Sequence, residues 1–296
     1  MNYYNEIKQK LIDNEIYQRV KDYSKERNKV ITYFEIGKLL YKAGSVYGEN
    51  IILKYSEKLM KEVNKNYNYR TLYRMRKLYE VFQNENLTTL LSNLTWSHYI
   101  QLLSIKDYNK IYYYIKVSSI ENLSVRELCN RIKNKEYERL DESTKLKLLN
   151  DEDNKVSDFV KNPILIKNSY NYINISEKIL KKLILEDLDN FMNELGSGFS
   201  YIGNEYKIKL GNTYNYIDLL LYNIKYKCYI VIELKVTELK KEYLGQIQTY
   251  MNYIDKNLKT IEEDKTIGII ICKKNNHFIM EYCSDKRILS REYNFI

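Results

Sequence analysis

The chain reads as an α+β protein: an all-α first half, then an α/β second half in which a mixed sheet is flanked by helices. Three observations predict this. Apolar residues recur at helical spacing to about residue 150 and at strand spacing beyond about residue 199. Between the two patterns lie a polar, acidic stretch (Asp141–Thr144, Asp151–Asn154) and the only proline, Pro163. Charge divides at the same place. Residues 1–150 hold 27 Lys+Arg against 18 Asp+Glu and residues 151–296 hold 21 against 21, so the entire net charge of +9 sits in the first half. The expected domains are residues 1–150, helical and basic, then a linker at 151–165, then the sheet domain at 166–296. Such an asymmetry suits a polyanion-binding module joined to a unit with another task, although a merely solvated basic surface has the same composition.

Element by element, Ile31, Phe34, Ile36, Leu39 and Leu40 keep helical spacing before a break expected at Gly44 and Gly48. Helices are expected from Ile51 to Asn64 and, after the polar turn Lys65–Asn68, on to Gln83. The second of these puts Leu72, Met75, Tyr79 and Phe82 on one stripe and Arg70, Arg74 and Lys77 on another, a helix-turn-helix-like pair with a basic second helix. Further helices are expected at Trp96–Leu103, Tyr108–Lys116 and Val125–Arg139. Ser176 is placed to cap a helix running to Leu195, closed by Gly196 and Gly198. Strands Phe199–Leu210, Tyr214–Tyr222 and Tyr226–Val236 follow, then a helix from Tyr243 to Asp255, a buried strand Thr266–Cys272 and another at Phe278–Cys283.

Composition also rules classes out. No apolar run approaches the ~18 residues of a membrane span, and Met1–Glu6 lacks the pattern of a secretory leader, so a cytoplasmic location is expected. Cys129, Cys228, Cys272 and Cys283 form no CxxC, and with only His98 and His277 beside them they are read as reduced thiols in small buried positions, not zinc ligands. Trp96 and His98 are read as core or interface residues. The 32 Tyr against 7 Phe suit an AT-rich genome and say little about base stacking.

Chemistry concentrates at one place. Glu-x-Lys occurs five times, but only Glu233-Leu234-Lys235 ends a strongly apolar strand, Cys228–Ile232, where two charges on one face are costly without partners. Asp218 interrupts the apolar strand Tyr216–Leu221 in the same way. If the hairpin turns between Lys225 and Tyr226, facing positions sum to 451, and Asp218 lies opposite Glu233 with Cβ atoms roughly 5 Å apart. Two carboxylates so close repel, and a divalent cation resolves the conflict; oxygen donors favour Mg2+ or Mn2+. Lys235, on the same face, is placed to hold an attacking water and offset phosphate charge. The same spacing also fits a buried Asp–Lys–Glu ion-pair network without metal.

At these residues the sequence resembles the PD-(D/E)XK nuclease superfamily and, within it, the YhcG-like family. In the second half the likeness runs through Phe191–Phe199, Tyr216–Tyr222, Val231–Lys235, Glu242–Gln248 and Ile267–Cys272. In the first half it runs through Leu72–Arg76 with Tyr79, Thr95–His98 and Ser124–Leu128; Thr71 and Leu123 stand where the family has Asn and Trp. The resemblance implies a PD-(D/E)XK restriction-endonuclease-like domain, with Asp218 and Glu233 as metal ligands and Lys235 as the catalytic lysine. It further implies Glu194 as an auxiliary acid and Gln246 with Tyr250 as a Gln-x-x-x-Tyr motif; their i, i+4 spacing puts these two on one helix face, where ordinary packing is the other reading. The expected function is metal-dependent phosphodiester hydrolysis, most naturally in DNA, with Arg70, Arg74, Lys77 and Arg76 contacting nucleic acid from the helical module. Restriction, mobile-element defence and DNA repair are the implied settings, and a homodimer or larger complex an implied assembly. RNA cleavage and a non-catalytic nucleic-acid-binding subunit stay open as alternatives.

Overall fold

Leu72, Met75, Leu78 and Phe82 are buried along one face of a helix that begins where Asn68 accepts a hydrogen bond from the Thr71 amide at 3.1 Å. That helix is the fourth of a bundle in the computed structural model, which describes residues 3–18, 25–48, 50–84, 94–150, 152 and 155–296. The chain divides into two compact units, Met1–Tyr137 and Glu138–Ile296.

In the first unit the described helices are α1 (Tyr3–Gln18), α2 (Lys25–Tyr47), α3 (Asn50–Glu62), α4 (Tyr69–Phe82), α5 (Trp96–Leu102), α6 (Tyr108–Glu121) and α7 (Val125–Lys133). Helix α1 has no counterpart among the expected elements. Helix α2 continues through Gly44 and stops at Gly48, whose φ of +79° is the left-handed conformation that favours glycine. Helix α6 outruns the expected end at Lys116 and stops where Asn122 turns left-handed. The expected Val125–Arg139 helix is cut short at Lys133; Lys135 has φ +53°, and a separate 3-10 turn covers Tyr137–Arg139. Tyr79, expected on the buried stripe, is half-buried and packs on Phe34 and Tyr41 at 5.3 and 5.6 Å.

Helices α2 and α4 cross closely at Gly37, where an added Cβ would lie 2.1 Å from the Met75 carbonyl oxygen. Backbone cannot yield as a side-chain tip does. Gly37→Ala is therefore expected to lower unfolding stability by about 2 kcal/mol, the middle of the overpacking range, despite alanine's better helix propensity. Urea unfolding of both proteins checks this.

The second unit starts earlier than expected. Residues 155–165 and the end of the expected helical domain belong to it: Val156 and Val160 are buried in the core of the sheet, and Thr144 and Lys147 of α8 (Glu142–Leu149) bond to Asp158 at 3.0 and 2.8 Å. The charge asymmetry survives the shift, since residues 1–137 hold 24 Lys+Arg against 15 Asp+Glu.

Six strands form one mixed sheet in the order β1-β6-β5-β4-β3-β2: β1 (Ile164–Ile166), β2 (Phe199–Leu210), β3 (Thr213–Asn223), β4 (Cys228–Glu238), β5 (Asp264–Lys274) and β6 (Ile288–Phe295). β2, β3 and β4 are antiparallel neighbours, while β4, β5, β6 and β1 run parallel. One face is covered by α9 (Glu177–Glu186) and α10 (Leu188–Leu195), the other by α11 (Lys241–Asn257). Ser176 caps α9 as expected, but Asp187 (φ −132°, ψ 51°) breaks the expected single helix into two.

The expected strand Phe278–Cys283 is instead a short helix, α12 (His277–Glu281), because the Asn276 side chain caps the Ile279 amide at 3.3 Å. The last strand, β6, lies further on, where no strand was expected. Its core positions include Ser290 and Arg291, which mask the apolar alternation. Burial holds the Arg291 guanidinium below its ordinary range against the pull of Asp141, and it bonds the Val160 carbonyl at 3.0 Å and Asp141 at 2.9 Å. No described helix is long and apolar enough to cross a membrane.

Candidate active site

The hairpin joining β3 to β4 turns on Asn223, whose side chain accepts from the Lys225 and Tyr226 amides, both at 3.1 Å. Its register is the expected one, with Leu219 facing Ile232 and Asn223 facing Cys228. The ladder stops at Leu219. Ile217 packs on the α11 side and Leu219 on the α9 side, although residues two apart in a regular strand share a face. Strand β3 thus turns over at Asp218, beside Glu205 of β2, which has φ +47°.

This irregularity aims the Asp218 carboxylate between the strands. One oxygen accepts from the Leu234 amide at 3.0 Å and the other from Lys181 of α9 at 2.9 Å. Lys181 also pairs with Glu205 at 3.1 Å. Glu233 is only 2% exposed. Its Oε2 accepts from Lys235 at 3.3 Å, and its Oε1 is buried without a hydrogen-bond partner. Lys235 lies 4.0 Å from Glu177 of α9 and 5.2 Å from the centroid of the Tyr243 ring of α11.

The electrostatics follow from that placement. Burial first, and then the neighbouring Asp218 charge, push the Glu233 carboxyl up to about 7, with Lys235 and a hydrogen bond from the Asp218 backbone pulling the other way. Burial pulls the Lys235 ammonium down, but Glu233, Glu177 and Asp218 outweigh it and hold it above its ordinary range. Lys181 is held up likewise by Asp218 and Glu205.

A consequence for stability can be measured without any cation. In the unfolded chain Glu233 titrates near 4.5, and in the fold near 7. Between those values the folded state holds the extra proton, so its stabilising contribution is complete below about pH 4.5 and is lost as pH rises through 7. The loss amounts to about 3 kcal/mol. Glu233→Gln is expected to flatten this dependence. Denaturant unfolding in EDTA at pH 5 and pH 8 checks it.

The site also fits a divalent cation. Two carboxylates approach each other, one buried oxygen has no partner, and the free donors are all oxygen, the set that suits Mg2+ or Mn2+. Among the described residues no group of three or more Asp, Glu, His or Cys forms a ready cage, so this pair would leave the rest of a coordination shell to water or substrate oxygens.

Other expected site residues fall differently. Gln246 donates to the Tyr250 hydroxyl at 3.1 Å, on the face of α11 that packs against the sheet beside Val231. Glu194 does not join Asp218. It is buried in a two-pronged ion pair with Arg139 and also accepts the Leu165 amide at 3.0 Å, holding β1 and the preceding turn together. The acid that approaches the cluster is Glu177, which with Lys181 stood outside the expected site. Both sit at i, i+4 in the first turns of α9, and an acid there reads simply as a helix-dipole partner.

On α4, Arg70 is exposed, Arg74 and Lys77 are half-buried, and Arg76 pairs with Glu80 at 2.7 Å. His98 is a core residue as expected: its ring accepts the Thr95 amide at 3.2 Å and bonds the Leu123 carbonyl at 2.9 Å. Burial pushes the Cys228 and Cys272 thiols up to about 12 and 11, so both are inert core groups.

A mixed sheet with helices on both faces, carrying this Asp, Glu and Lys cluster where its central strands part, marks the second unit as a PD-(D/E)XK nuclease domain. Residues 157–294 match the family described as the YhcG PDDEXK nuclease domain, and residues 7–139 match the DUF1016 N-terminal domain. Each match covers a little under half of the chain, and the two together span most of it. A relative from Escherichia coli (strain K12), YhcG, whose name makes it a candidate nuclease, is 24% identical over 81% of this chain and 76% of its own length. Two solved structures are also similar. One is a repair endonuclease from Pyrococcus abyssi (16% identity, 41% of this chain, 48% of that chain, TM-score 0.30). The other is EndoMS in complex with double-stranded DNA (17% identity, 42% of this chain, 48% of that chain, TM-score 0.32). The match spans about half the length of each of these two chains.

Proposed function

We propose that this chain is a divalent-cation-dependent nuclease that hydrolyses phosphodiester bonds in DNA, with Asp218 and Glu233 holding Mg2+ or Mn2+ and Lys235 as the catalytic lysine. The observation that carries the reading is the orphaned Glu233 oxygen, buried beside a second carboxylate and a lysine. A purely structural cluster has no use for an unpaired buried oxygen, which costs stability until something binds it. Such a cation supplies a Lewis acid for the phosphate and lowers the pKa of a bound water.

The chain's own residues do the rest. Lys235 carries positive charge toward the scissile phosphate, and the Tyr243 ring beneath its ammonium limits where it can swing. The Leu234 amide fixes one Asp218 oxygen, so that carboxylate is held before substrate arrives. Gln246 and Tyr250, bonded to each other, brace the α11 wall. The first unit, with all of the net positive charge, serves as the nucleic-acid-binding module, and α4 as its contact helix. Restriction, mobile-element defence and DNA repair are settings that such an enzyme suits.

A second reading is a non-catalytic nucleic-acid-binding subunit. What favours it is that both Asp218 oxygens are already satisfied, by Lys181 and the Leu234 amide. Incubating the purified protein with plasmid, linear and branched DNA and with RNA separates the two, each substrate with Mg2+, Mn2+ or EDTA. The nuclease reading expects DNA cleavage with a divalent cation and none in EDTA. Intact substrates under every condition would support the binding subunit.

A further inference from the structure

We propose that the outer end of the β2–β3 hairpin is a track for single-stranded nucleic acid, built from Lys207, Lys209, Tyr214 and Tyr216 and leading to Asp218. The inference rests on the nuclease reading only for its direction, toward Asp218.

The placement comes from strand alternation. Tyr206, Ile208, Leu210 and Ile217 pack toward α11. Their neighbours Lys207, Lys209, Tyr214 and Tyr216 therefore face the opposite side of the sheet, the side of α9. There the two tyrosines remain 55% and 54% exposed, and both lysines are exposed. Register sets the four side chains in a block: Lys207 opposite Tyr216, and Lys209 opposite Tyr214. Lys207 also leans diagonally over the Tyr214 ring, its ammonium 3.9 Å from the centroid, which fixes a cation on the track.

The block is continuous with the site. Tyr216 and Tyr214 precede Asp218 by two and four residues on one strand, roughly 7 and 13 Å along it. Lys181, approaching from α9, bonds Asp218 at 2.9 Å at the end of the same line. The one acid beside the track among the described residues of β2, Glu205, is paired with that lysine.

Cations alternating with aromatic rings on an open sheet face are the means by which proteins hold single strands: the cations take phosphates and the rings stack on bases. Rings standing on a sheet face can stack only on bases that are not already stacked in a duplex, which selects an unpaired strand over a double helix. The two lysines offset strand charge that a neutral second unit otherwise leaves unmatched.

The test uses the full chain in EDTA, so that binding is read without cleavage. Fluorescence anisotropy follows a labelled single-stranded oligonucleotide and the matching blunt duplex. Tyr214→Ala with Tyr216→Ala should weaken single-strand binding by about tenfold or more and duplex binding far less. Tyr214→Phe with Tyr216→Phe should bind like wild type, because a phenyl ring stacks as well. Lys207→Gln with Lys209→Gln should flatten the single-strand salt slope by roughly 0.7 for each phosphate no longer neutralised.

Unchanged single-strand affinity in the alanine pair, or an equal loss for single strand and duplex, would overturn the track. Should the alanine pair fail to fold, ultraviolet cross-linking of wild type to an iodouracil-bearing oligonucleotide decides. Adducts at Tyr214 or Tyr216 support the track, and adducts only elsewhere overturn it. Cleavage in Mg2+ is scored separately. Loss of single-strand binding in variants of a protein that cuts nothing removes the nuclease and keeps the track. Cutting at wild-type rates with unchanged binding removes the track and keeps the nuclease.

Discussion

Glu233→Ala is expected to reduce DNA cleavage by roughly a thousandfold or more, the scale on which losing a group that stabilises transition-state charge acts. Asp218→Ala and Lys235→Ala should match it, because the three side chains act as one unit and their effects do not add. Folding should survive in the Glu233 and Asp218 variants. Removing Glu233 removes a carboxyl that burial, and after it repulsion from Asp218, lift to about 7, so the cation-free melting temperature should hold or rise. Glu194→Ala supplies the contrast. It leaves Arg139 buried without its carboxylate and should cost about 3–5 kcal/mol of stability, while the surviving folded fraction keeps its activity. Single-turnover cleavage alongside thermal melts separates the two patterns. Undiminished cleavage by Glu233→Ala would end the catalytic assignment.

Replacing Arg70, Arg74 and Lys77 together by alanine is expected to flatten the slope of log K against log salt by about 2–3 units, near 0.9 for each duplex phosphate that these side chains neutralise. Affinity at moderate salt should fall by orders of magnitude. The expectation rests on the +9 net charge confined to the first unit and on the basic side of α4, whose opposite face is buried against α2 and cannot turn away. Arg76→Ala should do much less, because that guanidinium is already committed to Glu80. Equal slopes for wild type and the triple variant would point to an assembly role for the helical unit.

Much of this was legible in the sequence, for identifiable reasons. Strands β3 and β4 carry apolar runs, so their limits to within two residues and the 451 register could be read from the residues alone. Arithmetic could not show that β3 turns over at Asp218, beside Glu205, which is left-handed where no glycine stands. Hence the two carboxylates are not equivalent. Asp218 is satisfied, and Glu233 carries the unpaired oxygen. Strand β6 was hidden by Arg291, a buried charge whose partner Asp141 lies 150 residues away in sequence. Glu194 and Glu177 exchanged parts for a similar reason. Nothing local distinguishes an acid paired with a distant arginine from one aimed at the site.

The proposed function requires Asp218 and Glu233 to form a cation site and not a closed ion-pair network. Isothermal calorimetry of Mn2+ binding tests it most directly, with wild type and the Asp218→Asn, Glu233→Gln double variant compared at one pH and salt. Wild type should bind saturably, with a rise in melting temperature because only the folded chain presents the pair, and the double variant should show neither. Equal Mn2+ binding by the two proteins, or none by either, would contradict it.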